Sequence, residues 1–143
     1  MFTYQVTLDR SHARGSVASC KEAHIAVDSD PQGRDDAFNP AELLLAALGA
    51  CMLKNIERVA PMLGFEFHGV RIDLHGERRD SPPGMQRIVY RIVVDTTESE
   101  QRLALLLRNV QQFGTVYNTL AAGTAIEGAI ERGSVPEQSA LNV

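Results

Sequence analysis

Leu43 to Leu53 reads Leu-Leu-Leu-Ala-Ala-Leu-Gly-Ala-Cys-Met-Leu without a single charge, and no other segment limits the fold as much. Asn39-Pro40 just before it marks a helix start. Asn is a favoured N-cap, and Pro is tolerated at the first helical position because the N–H it lacks would be unpaired anyway. Glu42 falls in the first turn, where the helix dipole favours an anion. Charge returns at Lys54, Glu57 and Arg58, and Pro61 with Gly64 predicts the end. A helix that is apolar on every side calls for burial on every side. The run is only about half of the ~20 residues a membrane span requires, so it predicts a core helix in a soluble protein. One domain of 143 residues has difficulty covering such a helix alone. A second copy is the natural cover, because C2 homodimers are the commonest oligomers; a monomeric mass in solution would refute that expectation.

The rest of the chain divides around this helix. Phe2, Tyr4, Val6 and Leu8 alternate as one face of a strand, Gly15 to Ala18 and His24 to Val27 predict two more, and the three form a meander. Phe65, Phe67, Val70, Ile72 and Leu74 alternate with a slip at His68-Gly69, which predicts a β-bulge there. Ser81-Pro82-Pro83-Gly84 is a turn, and Ile88, Tyr90, Ile92 and Val94 form the partner strand. Thr97 with Glu100 predicts a capping box for a second helix from about Glu98 to Phe113, with Gly114 as its stop. Val116 to Thr119 reads as a connector and Ala125 to Ile130 as a last strand. The order βββ-α-ββ-α-β, with helices and strands in segregated runs, predicts an α+β fold. Residues 1–134 are expected to form one domain, followed by a flexible tail over 135–143.

Composition narrows the function. Fourteen Lys and Arg against eighteen Asp and Glu leave a formal charge of −4, with the basic residues scattered, which argues against nucleic-acid binding. The cysteines Cys20 and Cys51 form no CxxC pattern, and His12, His24, His68 and His75 do not stand at zinc-ligand spacing from them, so no metal and no cofactor are expected. Met1 to Leu8 lacks the basic start and apolar stretch of a secretion signal. Two cysteines in such a chain predict reduced thiols in a cytoplasm.

Cys51 is the candidate for covalent chemistry. Its bland alternative is packing, because a free cysteine behaves as a small hydrophobe. It lies about three turns from Asn39, beyond the reach of the helix dipole. A reactive Cys51 therefore needs a cation from elsewhere, and Arg is suited because it stays charged when partly buried. Arg10, Arg14 and Arg34 are available, each with a solvated surface charge as its alternative. Glu42 could orient an Arg, or could simply stabilise its helix start.

The stretch His24-Ile25-Ala26-Val27-Asp28, followed after a loop by Asn39-Pro40-Ala41-Glu42-Leu43-Leu44-Leu45-Ala46-Ala47-Leu48-Gly49-Ala50-Cys51, resembles the OsmC/Ohr family of osmotically inducible and organic-hydroperoxide-resistance proteins. Val116-Tyr117-Asn118-Thr119-Leu120 resembles the family's second motif, and the likeness is nearer to the general OsmC-like branch. It implies an intertwined homodimer around the central helix, with thiol-dependent reduction of organic hydroperoxides: a thiolate held by an Arg, which a Glu holds in turn, and a second cysteine that closes a disulfide. The chain departs from this pattern in three places. Gly114 followed by Thr115 stands where the second cysteine is expected. Ala41 follows Pro40 where the family Glu is expected, with Glu42 one residue later, about 100° round the helix. His12 falls near the expected Arg, flanked by Arg10 and Arg14.

The resemblance thus implies a one-cysteine hydroperoxide reductase with Cys51 as nucleophile, Arg14 as thiolate stabiliser and Glu42 as orienting carboxylate. Leu48, Met52, Val116 and Tyr117 are expected to line an apolar substrate pocket, and an external thiol is the expected reductant. Without a resolving cysteine, an oxidised Cys51 must meet such a thiol or proceed to irreversible sulfinic acid. Cys20 reads as a strand residue rather than a resolver. The alternative function is a non-catalytic dimer that binds a small apolar ligand or stores a thiol adduct.

Overall fold

The computed structural model describes residues 1–136; residues 137–143, and with them most of the expected tail, lie outside the described residues. The chain divides into two units, Met1–Leu44 and Leu45–Val143.

The first unit is an antiparallel meander of β1 (Thr7–His12), β2 (Gly15–Cys20) and β3 (Ala23–Asp28), in that spatial order. Two-residue turns join the strands, and Lys21 at the second turn has a φ of 56°. The first strand was expected over Phe2 to Leu8. It pairs instead from Thr7, which faces Ser19, to His12, which faces Gly15. Phe2, Tyr4 and Val6 alternate as expected yet find no sheet partner among the described residues, because β2 pairs with β1 only from Thr7 onward. Buried Asp28 then organises the loop that follows β3. Its Oδ1 accepts from the Asp30 N–H at 2.9 Å and its Oδ2 from the Arg34 N–H at 3.0 Å. Its own N–H donates to the Phe38 carbonyl at 2.9 Å.

Helix α1 (Pro40–Leu63) starts where the sequence places it. Asn39 Oδ1 accepts from the Glu42 N–H at 2.9 Å, while Glu42 Oε2 accepts from the Asn39 N–H at 2.8 Å. That reciprocal pair is a capping box, with Asn in the place usually held by Ser or Thr.

In the second unit α1 is followed by β4 (Gly69–Asp80), β5 (Pro83–Asp95), α2 (Glu100–Gln112), α3 (Thr115–Ala121) and β6 (Ala125–Arg132). Strand β5 is central, antiparallel to β4 and parallel to β6. Ile88, Tyr90, Ile92 and Val94 alternate along β5 and are all buried. They join Leu48, Met52, Ile56, Val59 and Ala60 of α1 and Leu103, Leu106 and Val110 of α2 in one core. The whole is an α+β fold, as expected, with departures in detail. The connector over Val116 to Thr119 is the short helix α3, so the order is βββ-α-ββ-αα-β. The bulge lies between Glu77 and Arg78, and Phe65 and Phe67 precede the strand rather than opening it.

Helix α1 carries the apolar run for which one domain was expected to supply too little cover. Its buried residues, Leu48, Gly49, Met52, Asn55, Ile56, Val59 and Ala60, form one stripe at helical spacing. Ala46, Ala47, Ala50 and Leu53 are exposed. Among the described residues, the core packed on α1 covers one side of the apolar run.

Helix α2 is capped by Ser99, whose hydroxyl accepts from the Arg102 N–H at 3.3 Å, rather than by the expected Thr97. Arg102 pairs with Glu98 at 3.0 Å and donates through Nη2 to the Leu63 carbonyl at 2.7 Å. Leu63 is in the last turn of α1, where carbonyls lack helical partners, so one side chain ties the end of α1 to the start of α2. The Arg102 guanidinium, with the Glu66 N–H, holds the Glu98 carboxyl below the usual carboxylate range. Leu106 is wholly enclosed in this layer. Leu106→Ala is expected to cost about 2–5 kcal/mol, read as a lower midpoint in chemical denaturation with an unchanged slope.

Candidate active site

Cys51 lies on α1 in the second unit and is half-buried. The stripe that faces the core passes through its neighbours Leu48, Met52 and Asn55, so Cys51 stands at the border of that stripe rather than at its centre. The other wall is the junction of α2 and α3. Helix α2 ends at Gln112, the Phe113 N–H donates back to the Asn109 carbonyl at 3.3 Å, and α3 begins at Thr115. Gly114 is the residue between them. It is buried, with φ −80° and ψ 111°, a conformation open to any residue. Space rather than conformation favours glycine here. A Cβ at 114 would stand 2.9 Å from Tyr117 Cβ, 3.3 Å from Asn55 Nδ2 and 3.3 Å from Cys51 Sγ. The position expected to carry a second cysteine is thus directly against the Cys51 sulfur.

Asn55 is a site residue that sequence reasoning missed. Only 7% exposed, it is the one polar side chain on the buried stripe of α1. Its Nδ2 donates to the Val110 carbonyl at 3.4 Å and toward Cys51 Sγ at 3.9 Å. Val110 belongs to the last turn of α2, where a carbonyl lacks its helical donor; Asn55 supplies one across the core. The signal in sequence was a polar residue four positions after Cys51, on the same face of the helix.

Of the expected pocket residues, Leu48 and Met52 are core residues, 0% and 1% exposed, while Val116 and Tyr117 of α3 are half-buried and pack against that core. Tyr117 borders Gly114 and so reaches the Cys51 corner. Behind it, the Tyr90 hydroxyl accepts from Gln111 Nε2 at 2.6 Å, and burial pushes the Tyr90 phenol above its usual range.

Arg14 and Glu42 belong to the first unit. Arg14 Nε donates to Asp30 Oδ2 at 2.6 Å with most of the Arg14 side chain in solvent, and this guanidinium holds the Asp30 carboxyl below the usual carboxylate range. Glu42 spends Oε2 on the capping box. Arg34 is engaged by Asp36 through Nε at 2.7 Å and Nη2 at 2.8 Å, and Arg10 is an exposed residue of β1. Cys20 ends β2 as a second free thiol, half-buried. Among the described residues, no three His, Cys, Asp or Glu side chains gather in a group that could hold a metal ion, and no helix is long and apolar enough to cross a membrane.

The sequence profile of the OsmC-like protein family matches residues 33–128, a span that takes in the helix start, Cys51 and Gly114. The chain belongs to the OsmC-like family. Solved structures carry the same fold at low identity. An OsmC-like protein from Mycoplasma pneumoniae is 20% identical and superposes with a TM-score of 0.85, over 93% of this chain and 99% of that one. A protein from Legionella pneumophila titled organic hydroperoxide resistance protein OsmC is 15% identical, with a TM-score of 0.73 over 92% and 98% of the two chains. The organic hydroperoxide resistance protein OhrB of Bacillus subtilis is 18% identical, with a TM-score of 0.63 over 91% and 98%. No curated relative matches the OsmC-like sequence.

Proposed function

We propose that this OsmC-like protein reduces organic hydroperoxides through Cys51 alone, with an external thiol as reductant. The observation that carries the reading is the Cys51–Gly114 contact: the sulfur is at the edge of the core, and the neighbour that would resolve it has no side chain. Family membership and the names of the Legionella and Bacillus proteins support the choice of substrate class. In the first step the Cys51 thiolate attacks the terminal peroxide oxygen. An S–O bond forms, the O–O bond breaks, sulfur loses two electrons, and the departing alkoxide takes a proton to leave as alcohol. An external thiol then displaces water from the sulfenic acid to give a mixed disulfide. A second external thiol releases Cys51 and carries away the oxidised pair. Such a cycle draws on a pool of free thiols, which places its work in a reducing cytoplasm.

The protein acts as a homodimer in the same proposal. Phe2, Tyr4, Val6, Leu8 and Ile25 in the first unit, and Leu53, Met62 and Phe113 in the second, are all at least 40% exposed in the single chain. That is more apolar surface than scattered exposure accounts for, and a second copy is the cover it fits.

The test is a thiol titration of the reduced protein before and after one equivalent of cumene hydroperoxide, with the solution mass measured alongside. Rapid loss of one of the two thiols per chain, in a particle of two chains, is the expected result. No loss over hours would overturn the peroxidase reading in favour of the alternative, a dimer that binds an apolar ligand or stores a thiol adduct. A one-chain mass would overturn the dimer.

A further inference from the structure

We propose that Asn55 is the hydrogen-bond donor for the reacted sulfur of Cys51: its side-chain N–H holds the thiolate before attack and the sulfenic oxygen after it. The inference rests on the proposed peroxidase reading for its second half only. Asn55 Nδ2 has one hydrogen on the Val110 carbonyl at 3.4 Å and aims the other toward Sγ at 3.9 Å. That division settles which way the amide faces, because the Val110 carbonyl accepts only from nitrogen. A separation of 3.9 Å is long for a bond to sulfur. When an S–O bond forms as the peroxide O–O bond breaks, an oxygen added on the Asn55 side of the sulfur comes within reach of an ordinary N–H···O length of about 2.8–3.0 Å. Sulfenate is also a far better acceptor than a thiol.

The surroundings give this donor weight. Asn55 and Cys51 both adjoin the point where a Gly114 Cβ would stand, each 3.3 Å away. A chain with a cysteine at that point can discharge the sulfenic acid at once. Here the oxidised sulfur must wait for a thiol to arrive from solution, and throughout that wait a second hydroperoxide can carry it to sulfinic acid. A fixed donor on the sulfenic oxygen withdraws electron density from sulfur and slows that second attack. The neighbouring side chains of the stripe, Leu48, Met52 and Ile56, offer no competing polar group.

The experiment compares the wild-type protein with Asn55→Leu, Asn55→Asp and, as a stability control remote from the sulfur, Leu103→Ala. The first readout needs no peroxide: the rate of Cys51 alkylation by iodoacetamide across pH, in a Cys20→Ser background. Both Asn55 variants are expected to react more slowly than wild type at low pH and to approach it as pH rises, Asp more slowly than Leu since a carboxylate repels the thiolate. Leu103→Ala is expected to follow the wild-type profile despite its lower stability. The second readout is the lifetime of the sulfenic acid under a roughly tenfold excess of cumene hydroperoxide, which supplies the second oxidation, trapped with dimedone and weighed by mass spectrometry. It is expected to shorten about tenfold in Asn55→Leu, with sulfinic acid in its place. Should neither variant fold, the Asn55 side-chain amide resonance of the wild-type protein is followed by NMR through the thiol titration, and it is expected to move with Cys51. Superimposable alkylation profiles, or an amide resonance indifferent to Cys51, would overturn the proposal. Shifted profiles with no peroxide-dependent thiol loss would leave the Asn55–Cys51 bond standing and remove the peroxidase reading instead.

Discussion

Cys51→Ser is expected to abolish hydroperoxide-dependent thiol loss, with the rate falling to that of buffer. The wild-type chain has two titratable thiols. One equivalent of cumene hydroperoxide should take the count from two to one, leave Cys51→Ser at its single remaining thiol, and take Cys20→Ser from one to none. The reason is chemical rather than steric. A serine hydroxyl is nearly isosteric with a thiol but cannot give up two electrons to a peroxide oxygen. The pattern across the two variants also separates mechanisms. If the wild-type chain instead lost both thiols per hydroperoxide and Cys20→Ser kept the loss of one, Cys20 would be acting as a resolver, and the one-cysteine cycle would be wrong.

Gly114→Cys is expected to convert the protein to a two-cysteine cycle. The Cβ position at 114 is 3.3 Å from Cys51 Sγ, so a sulfur one bond further out can reach the 2.05 Å of a disulfide. The oxidised variant should lose two thiols per hydroperoxide, Cys51 and the new one, and should no longer accumulate sulfinic acid under excess peroxide. The bridge would close a loop of about sixty residues, for which chain entropy predicts roughly 4 kcal/mol of stabilisation. Crowding subtracts from this, because the same Cβ stands 2.9 Å from Tyr117 Cβ and the first turn of α3 must give way. The reduced variant is therefore expected to be less stable than wild type and the oxidised variant more so. Non-reducing mass measurement and denaturation under both conditions decide it. A sulfenic or sulfinic product with no disulfide would mean that the two sulfurs do not meet.

The parts of this molecule that sequence makes legible are those governed by near neighbours. The start of α1 needs only Asn39, Pro40 and Glu42, three residues whose side chains and backbone satisfy one another. The β4–β5 hairpin shows itself because Ile88, Tyr90, Ile92 and Val94 alternate with no interruption, and one face of β5 is fully covered. Helix α3 was missed because seven residues span two turns, too few for a periodicity, and Gly114 offers no side-chain cap. The apolar run of α1 reports what the helix demands, and the one buried stripe, Leu48 to Ala60, is what one chain supplies. At the candidate site, Cys51 is named by its motif alone. The Asn55–Val110 bond spans fifty-five residues of chain, and no local pattern announces it. The contact of position 114 with the sulfur is likewise a product of packing: the sequence placed Gly114 at the end of α2, and only the α2–α3 junction carries it to Cys51.

The parallel seating of β6 has a consequence for how the chain is made. Strands β4 and β5 are joined by a tight turn and can zip together as soon as both have left the ribosome, but Ala125–Arg132 must wait until α2 and α3 have been synthesised and folded back across the sheet. Throughout that interval one hydrogen-bonding edge of β5, the strand that carries Ile88, Tyr90, Ile92 and Val94, has no partner, and an unpaired apolar edge is a template for other chains. Nascent copies are at greatest risk of joining one another in the interval before β6 arrives, and the speed with which α2 docks sets how long that risk lasts.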